Sequence, residues 1–157
     1  MIKTKHGKQL SPSRNKTITI TVPFQDINTI SLSGSGDLWN KDIIHSNNFK
    51  ALLSGSGDVT LNIKARFTIG KISGSGDLTL KGFTNNLEAS VSGSGEFHGF
   101  DLKSTTATMV SVTGSGDTDV LCKGQLTGRV TGSGDIKYRG HPTIENFKIV
   151  GSGSIEN

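Results

Sequence analysis

The stretch Ser33-Gly34-Ser35-Gly36-Asp37 decides how this chain is read, because the chain writes it again and again. Gly-Ser-Gly recurs beginning at Gly34, Gly55, Gly74, Gly93, Gly114, Gly132 and Gly151, at spacings of 21, 19, 19, 21, 18 and 19 residues. A period near twenty marks a stacked repeat, in which one unit cannot bury its own apolar face and must lean on the next.

Alignment of the copies on their first glycine shows what each unit does. Four and two residues before it stand Ile30/Leu32, Ala51/Leu53, Gly70/Ile72, Ala89/Val91, Val110/Val112, Gly128/Val130 and Phe147/Ile149. Four residues after it stand Leu38, Val59, Leu78, Phe97, Thr118, Ile136 and Ile155. The apolar positions share one parity with both glycines, and the Ser and Asp positions take the other. Period-2 alternation is the pattern of a half-buried strand, not of a helix. A strand enters, bends through Gly-Ser-Gly and leaves with the same face inward. Gly suits such an inward corner because it has no Cβ and tolerates positive φ. The fold expected is all-β: a single-stranded, right-handed parallel β-helix of about 20 residues per coil. The hand follows from the bias of parallel crossovers.

A chain of 157 residues fits one domain. Only 32% of residues are hydrophobic, which is lean for a globule, yet the apolar residues hold phase across all seven copies, which excludes a disordered low-complexity chain. The net charge of +4 is concentrated at the start, where Lys3, Lys5, Lys8, Arg14 and Lys16 stand without an acid. The remaining chain has 12 basic and 13 acidic residues, with no basic stripe interleaved with aromatics, so no nucleic-acid partner is expected. Cys122 is the sole cysteine, which excludes an intrachain disulfide and a zinc cluster; its parity places it inward as a small hydrophobe. The opening MIKTKHGKQL lacks the apolar core of a signal peptide, and no stretch has the length to insert in a membrane.

In order along the chain, residues 1–15 read as a polar segment and residues 16–157 as the β-helix of seven corner repeats. Lys16–Phe24 (KTITITVPF) alternates Ile18, Ile20 and Val22 with threonines and is expected as the first edge strand, stopping at Pro23. Asn40–Asn48 reads as a surface loop that lengthens its coil. Gly99–Thr108 makes another long return, with Phe100 and Leu102 as internal candidates.

Six SGSGD-like corners, followed by Gly132-Ser133-Gly134-Asp135-Ile136-Lys137-Tyr138-Arg139-Gly140-His141-Pro142, resemble the head GIN domain family of bacterial auto-transporter adhesins, a family of Bacteroidetes type. The segment Asp101-Leu102 ahead of Val112-Thr113-Gly114-Ser115-Gly116 fits the same pattern, and the resemblance runs from about Lys16 to Asn157. It implies an exported protein of the periplasm or cell surface, with a right-handed β-helix and no established catalytic activity. The family carries further N-terminal strands and an export signal ahead of the point where this chain begins, so the resemblance also implies a truncated start.

One constellation has potential chemistry. Asp37, Asp58, Asp77, Glu96, Asp117 and Asp135 hold the same slot in successive copies, and Ser154 ends the series. Stacked coils would set these carboxylates about 4.8 Å apart. Calcium takes carboxylate and carbonyl oxygens, so a cation ladder is one reading. The other, which we favour, is that each Asp accepts backbone amides freed by the corner, as Asp does in turns. The nonapeptide calcium repeats have a different period and glycine pattern. The aligned serines have no base beside them, since His6, His45, His98 and His141 fall at unrelated repeat positions. Trp39 and Tyr138 are read as outward aromatics able to stack on a sugar ring. The function expected is a non-enzymatic, adhesin-like module whose flat polar faces bind a glycan, a surface protein or another copy of itself, with no cofactor required. The alternative is a polysaccharide lyase or hydrolase, which needs clustered carboxylates with Arg or Lys in a loop-built cleft; the mostly short returns argue against one.

Overall fold

Alternating residues make a strand only where backbone partners lie on its edges, and here each coil finds them about nineteen residues along the chain. The computed structural model describes residues 17–157, so the polar segment 1–15 lies outside the described residues. Eleven strands follow one another: β1 (Thr29–Gly34), β2 (Leu38–Trp39), β3 (Ile44–Gly55), β4 (Val59–Gly74), β5 (Leu78–Gly93), β6 (Phe97–Gly114), β7 (Thr118–Cys122), β8 (Gln125–Gly132), β9 (Ile136–Arg139), β10 (Ile144–Gly151) and β11 (Ile155–Glu156). Every pairing is parallel. The corner glycines stack in unbroken register, Gly34 on Gly55, Gly74, Gly93, Gly114, Gly132 and Gly151. The protein is a parallel β-solenoid of about seven turns near 19 residues each. The described residues contain no helix, and hence none that could cross a membrane.

The inward parity expected from the alignment holds through the middle coils. Ala51, Leu53, Val59, Ile72, Leu78, Ala89, Val91, Phe97, Val110, Val112, Val130 and Ile136 are all buried, as is Cys122. The same slots are more open in the terminal coils, where Leu32, Leu38 and Ile155 are half-buried and Ile149 is exposed. Inward glycines within the strands are filled from the next coil: a Cβ on Gly70 would meet the ring of Phe97. The parity then flips once in each coil of odd length. The 18-residue coil from Gly114 to Gly132 instead keeps it, with Thr118, Val120, Cys122, Leu126 and Val130 all buried. In β4 two outward residues, Arg66 and Phe67, stand side by side between buried Ala65 and Thr68; in β5 Asn85 and Asn86 do the same between Thr84 and Leu87. This is the second corner of the coil. Its inward hydroxyls satisfy one another and the backbone, with Thr68 Oγ1 donating to Thr84 Oγ1 at 2.9 Å and Thr84 Oγ1 donating to the Asn86 carbonyl at 2.9 Å.

The Gly-Ser-Gly corner demands glycine for an axial reason. The expectation was a tight turn into the interior, but the obstacle is the coil beneath. Gly74 has φ of 131°, in the left-handed region, and a Cβ there would run into the Gly55 carbonyl. Gly76 is buried, and a Cβ on it would run into the Gly57 carbonyl. With no side chains intervening, one carbonyl accepts two amides: Ser75 N and Gly76 N both donate to the Gly55 oxygen, at 2.9 and 3.0 Å. The pattern recurs one coil on, where Ser94 N and Gly95 N donate to the Gly74 oxygen.

Three expectations are corrected. Lys16 lies outside the described residues, and Thr17–Phe24 forms no strand; Ile18, Ile20, Val22 and Phe24 are exposed. Alternation provided a face, but β1 pairs only with β3, and no described strand runs alongside 17–24. The loop read over Asn40–Asn48 shrinks to residues 40–43, because β3 begins at Ile44, which is buried. Leu102 is internal as expected, whereas Phe100 lies half-buried on the outer surface under the Arg139 guanidinium, 3.9 Å from its ring centre.

The corner geometry predicts a sharp contrast between neighbours. Gly76→Val should lower the unfolding free energy by about 1–3 kcal/mol or more, the range for overpacking a tight interior. Ser75→Val, exposed on the opposite parity, should cost much less. Denaturant midpoints of the two variants check this, and equal losses would contradict it.

Candidate binding surface

The acidic ladder is built by the corner. Once the first-glycine carbonyl has accepted two amides, the amide of the following Asp has no carbonyl left beneath it, and the Asp of the coil below takes its place. Asp58 Oδ1 accepts Asp77 N at 3.4 Å, Asp77 Oδ1 accepts Glu96 N at 3.1 Å, Asp117 Oδ1 accepts Asp135 N at 2.8 Å and Asp135 Oδ1 accepts Ser154 N at 2.7 Å. The Asp carbonyls complete the ladder by accepting the amide one residue further round on the coil below, as when Val59 N donates to the Asp77 oxygen at 2.8 Å. Asp37 and Glu96 make no such side-chain bond among the described residues. Glu96, one methylene longer, turns its carboxylate toward His98 Nε2, 3.6 Å away. Among the described residues no three His, Cys, Asp or Glu side chains converge in the manner of a metal site.

His98 also lies 3.3 Å from Asp119 Oδ2 through Nδ1. The alignment gave Asp119 no role. Its other oxygen accepts the amides of Gly99 and Phe100, at 2.6 and 2.8 Å. Here β6 carries extra residues against β7, the register jumping from Gly99–Val120 to Lys103–Leu121. Asp119 therefore ties down a bulge. The irregular 21- and 18-residue spacings on either side were the signal that could have found it.

The two aromatics singled out by sequence part company. Trp39 is 64% exposed on the first coil, as expected. Tyr138 is buried, which corrects the outward reading: it stands two residues past inward Ile136 and so shares its parity. Its ring packs on Phe147 with centres 5.6 Å apart, and its hydroxyl donates to Glu145 Oε1 at 3.0 Å. Burial, reinforced by the Glu145 bond, pushes the Tyr138 phenol above its usual value. The two rings share no surface.

A concave surface appears where the sequence reading placed nothing. Along the second corners of the first four coils a cleft of about 760 Å³ opens to solvent. One wall is the row His45, Lys64, Phe83, stacked in register on β3, β4 and β5. Beside it runs the outward row Asn47, Arg66, Asn85, also at 19-residue intervals. Asp26 is the sole carboxylate in the lining. Offsetting the sequence by nineteen at the second corner would have aligned these rows, but the alignment followed only the residues around Gly-Ser-Gly.

Comparison with known proteins agrees with this architecture. Residues 1–142 match the family described as putative auto-transporter adhesin, head GIN domain. The chain belongs to the head GIN domain family. The match ends at Pro142, although the solenoid register carries on through Gly151 on Gly132. A crystal structure of a putative adhesin from Bacteroides fragilis superposes with a TM-score of 0.79 at 28% identity, covering 83% of this chain and 60% of that one. A putative adhesin from Parabacteroides distasonis gives 0.70 at 27% identity, covering 82% and 59%. A putative lipid binding protein from the same organism gives 0.64 at 26% identity, with the same coverage. This head GIN domain thus spans about three fifths of the length of its structural relatives. No curated protein matches it.

If the carboxylates of this domain serve as backbone acceptors, their removal should cost stability where the bond is made and not elsewhere. Asp135→Ala should lose about 1–2 kcal/mol, the scale of a hydrogen bond to a charged group with partial solvent compensation. Asp135→Asn, which keeps an acceptor oxygen, should lose less, and Asp37→Ala should be near neutral. Chemical denaturation of the three variants measures this; a loss in Asp37→Ala equal to that in Asp135→Ala would contradict it.

Proposed function

We propose that this head GIN domain is a non-enzymatic, adhesin-like binding module of the cell envelope, exported to the periplasm or cell surface, which engages its partner through side chains presented in rows on the outside of the solenoid. The observation that carries the reading is the composition of the cleft. Glycoside hydrolysis works through a pair of carboxylates flanking the scissile bond, and this cleft contains Asp26 alone. Its other polar groups are amides, cations, an imidazole and the Ser46 hydroxyl, which donates to the Asn48 carbonyl at 3.0 Å; these are groups that recognise. The adhesins among its structural relatives support the same reading.

The acidic ladder is structural in this reading. Four of its carboxylates are occupied by backbone amides, so calcium is not required for folding. Self-association is a second reading, favoured by β10, which pairs with β8 and leaves Ile144, Phe147, Ile149 and Val150 exposed. Light scattering over a range of concentrations tests that reading, and a strict monomer would remove it.

The main reading is tested by presenting the purified domain to a glycan array and, in parallel, incubating it with acidic and neutral polysaccharides, with calcium or with chelator. Retention on particular glycans without release of shorter products is the expected result, independent of calcium. Product release that scales with protein concentration would overturn it in favour of a polysaccharide lyase or hydrolase.

A further inference from the structure

We propose that the cleft on the second corners of the first four coils is the ligand site, and that it takes an acidic saccharide whose carboxylate is held between Lys64 and Arg66. The proposal rests on the reading of this domain as a binding module and adds the place and the ligand class.

The first argument is charge. Lys64 and Arg66 lie on the same outward parity of β4, either side of buried Ala65, so both cations project from one rung into one cleft. Neither makes an ion pair among the described residues, whereas Lys71 pairs with Glu88 at 2.9 Å and Lys81 with Asp101 at 3.7 Å. Asp26 is the one acid in the lining, and it is paired with neither cation. Two like charges held this close leave a place for an anion. A guanidinium beside an ammonium is a pairing suited to a carboxylate, since the guanidinium binds it by a planar fork.

The second argument is what surrounds the cations. Asn47 and Asn85 flank Arg66 on the rungs above and below, and His45 and Phe83 flank Lys64 in the same way. These amides, each one rung of about 4.8 Å from Arg66 and so about 10 Å from each other, offer both donors and acceptors to ring hydroxyls. The half-buried Phe83 ring gives the apolar ground that the C–H face of a pyranose packs against. Cation, amide and aromatic together match a sugar that bears a negative charge.

The third argument is shape. A cleft of about 760 Å³ is within the range of small-ligand sites and holds more than one sugar ring. It is open to solvent, so a polymer can lie across the coils. Its apolar lining is confined to Ile27, Ala65 and Phe83, which provides no channel for an acyl chain. The observations therefore favour a saccharide over a lipid.

Isothermal titration with a panel of uronic-acid oligosaccharides, each beside its methyl-esterified counterpart, tests the proposal. At least one acid form should bind about tenfold or more tightly than its ester, with affinity falling as salt is raised. Arg66→Gln and Lys64→Gln should each weaken binding by about tenfold, the scale of one charge-assisted hydrogen bond. Arg129→Gln, exposed on β8 away from the cleft, should leave it unchanged; circular dichroism checks that all three variants fold. Equal affinity for acid and ester, no binding across the panel, binding confined to anionic phospholipid vesicles, or equal losses in Arg129→Gln and Arg66→Gln would each overturn the site. Glycan binding that survives both Arg66→Gln and Lys64→Gln would overturn it while leaving the binding-module reading intact, whereas product release would overturn that reading itself.

Discussion

The carbonyl of each corner's first glycine accepts two amides from the next coil, and the rest of the solenoid depends on that shared bond. It sets the register, because Gly55 can receive Ser75 and Gly76 only when every residue of β4 lies beside its equivalent in β3. It sets the composition, because a Cβ on either glycine of the corner would collide with the glycine backbone of the coil beneath. It also explains the residue that follows. With the carbonyl used twice, the next amide needs another acceptor, and an Asp side chain one coil down provides it. The bond lies at or near the surface, where water partly compensates an unmade one, so it contributes about 0.5–1.5 kcal/mol in each of the four coils that make it.

A coil held in this way needs little else from its interior. Each buries a thin slice of Val, Leu, Ile and Ala, with an occasional larger ring, as where Gly70 makes room for Phe97. Thr118 departs from this economy: it takes an inward slot, and its buried hydroxyl has no partner. The outward positions are released from packing and arranged in rows about 4.8 Å apart. Function in such a molecule is a property of rows, in which residues far apart in sequence act as neighbours. His45, Lys64 and Phe83 form one such row, and Asn47, Arg66 and Asn85 another.

What the sequence made legible followed from period and parity. The solenoid, the inward series from Ala51 to Ile136 and the burial of Cys122 could all be read from alternation around Gly-Ser-Gly. Tyr138 was misplaced because its parity was counted from the wrong neighbour, and the structure buries it beside Phe147. Thr17–Phe24 has the alternation of a strand, but a strand also needs an edge to pair with, and periodicity does not report one. The cleft was hidden for another reason. The second corner flips the inward parity through a pair of adjacent outward residues whose identity changes from coil to coil, Asn47-Asn48, then Arg66-Phe67, then Asn85-Asn86. An alignment anchored only on Gly-Ser-Gly passes over that edge, although a nineteen-residue offset applied there would bring the rows together. Asp119 was missed because its role exists only against the bulge in β6.

Amide hydrogen exchange tests the central claim, that the corners are bonded as firmly as the strands. The amides of Ser75, Gly76, Ser94 and Gly95 look like turn amides in sequence, yet each donates to a carbonyl in the coil beneath. They should therefore exchange as slowly as the strand amides of Leu80 and Val91, and far more slowly than Lys41 and Asp42 in the loop before β3. Exchange at the four corner amides as fast as at Lys41 and Asp42 would contradict the account, because the stack would then be held by its apolar slices alone.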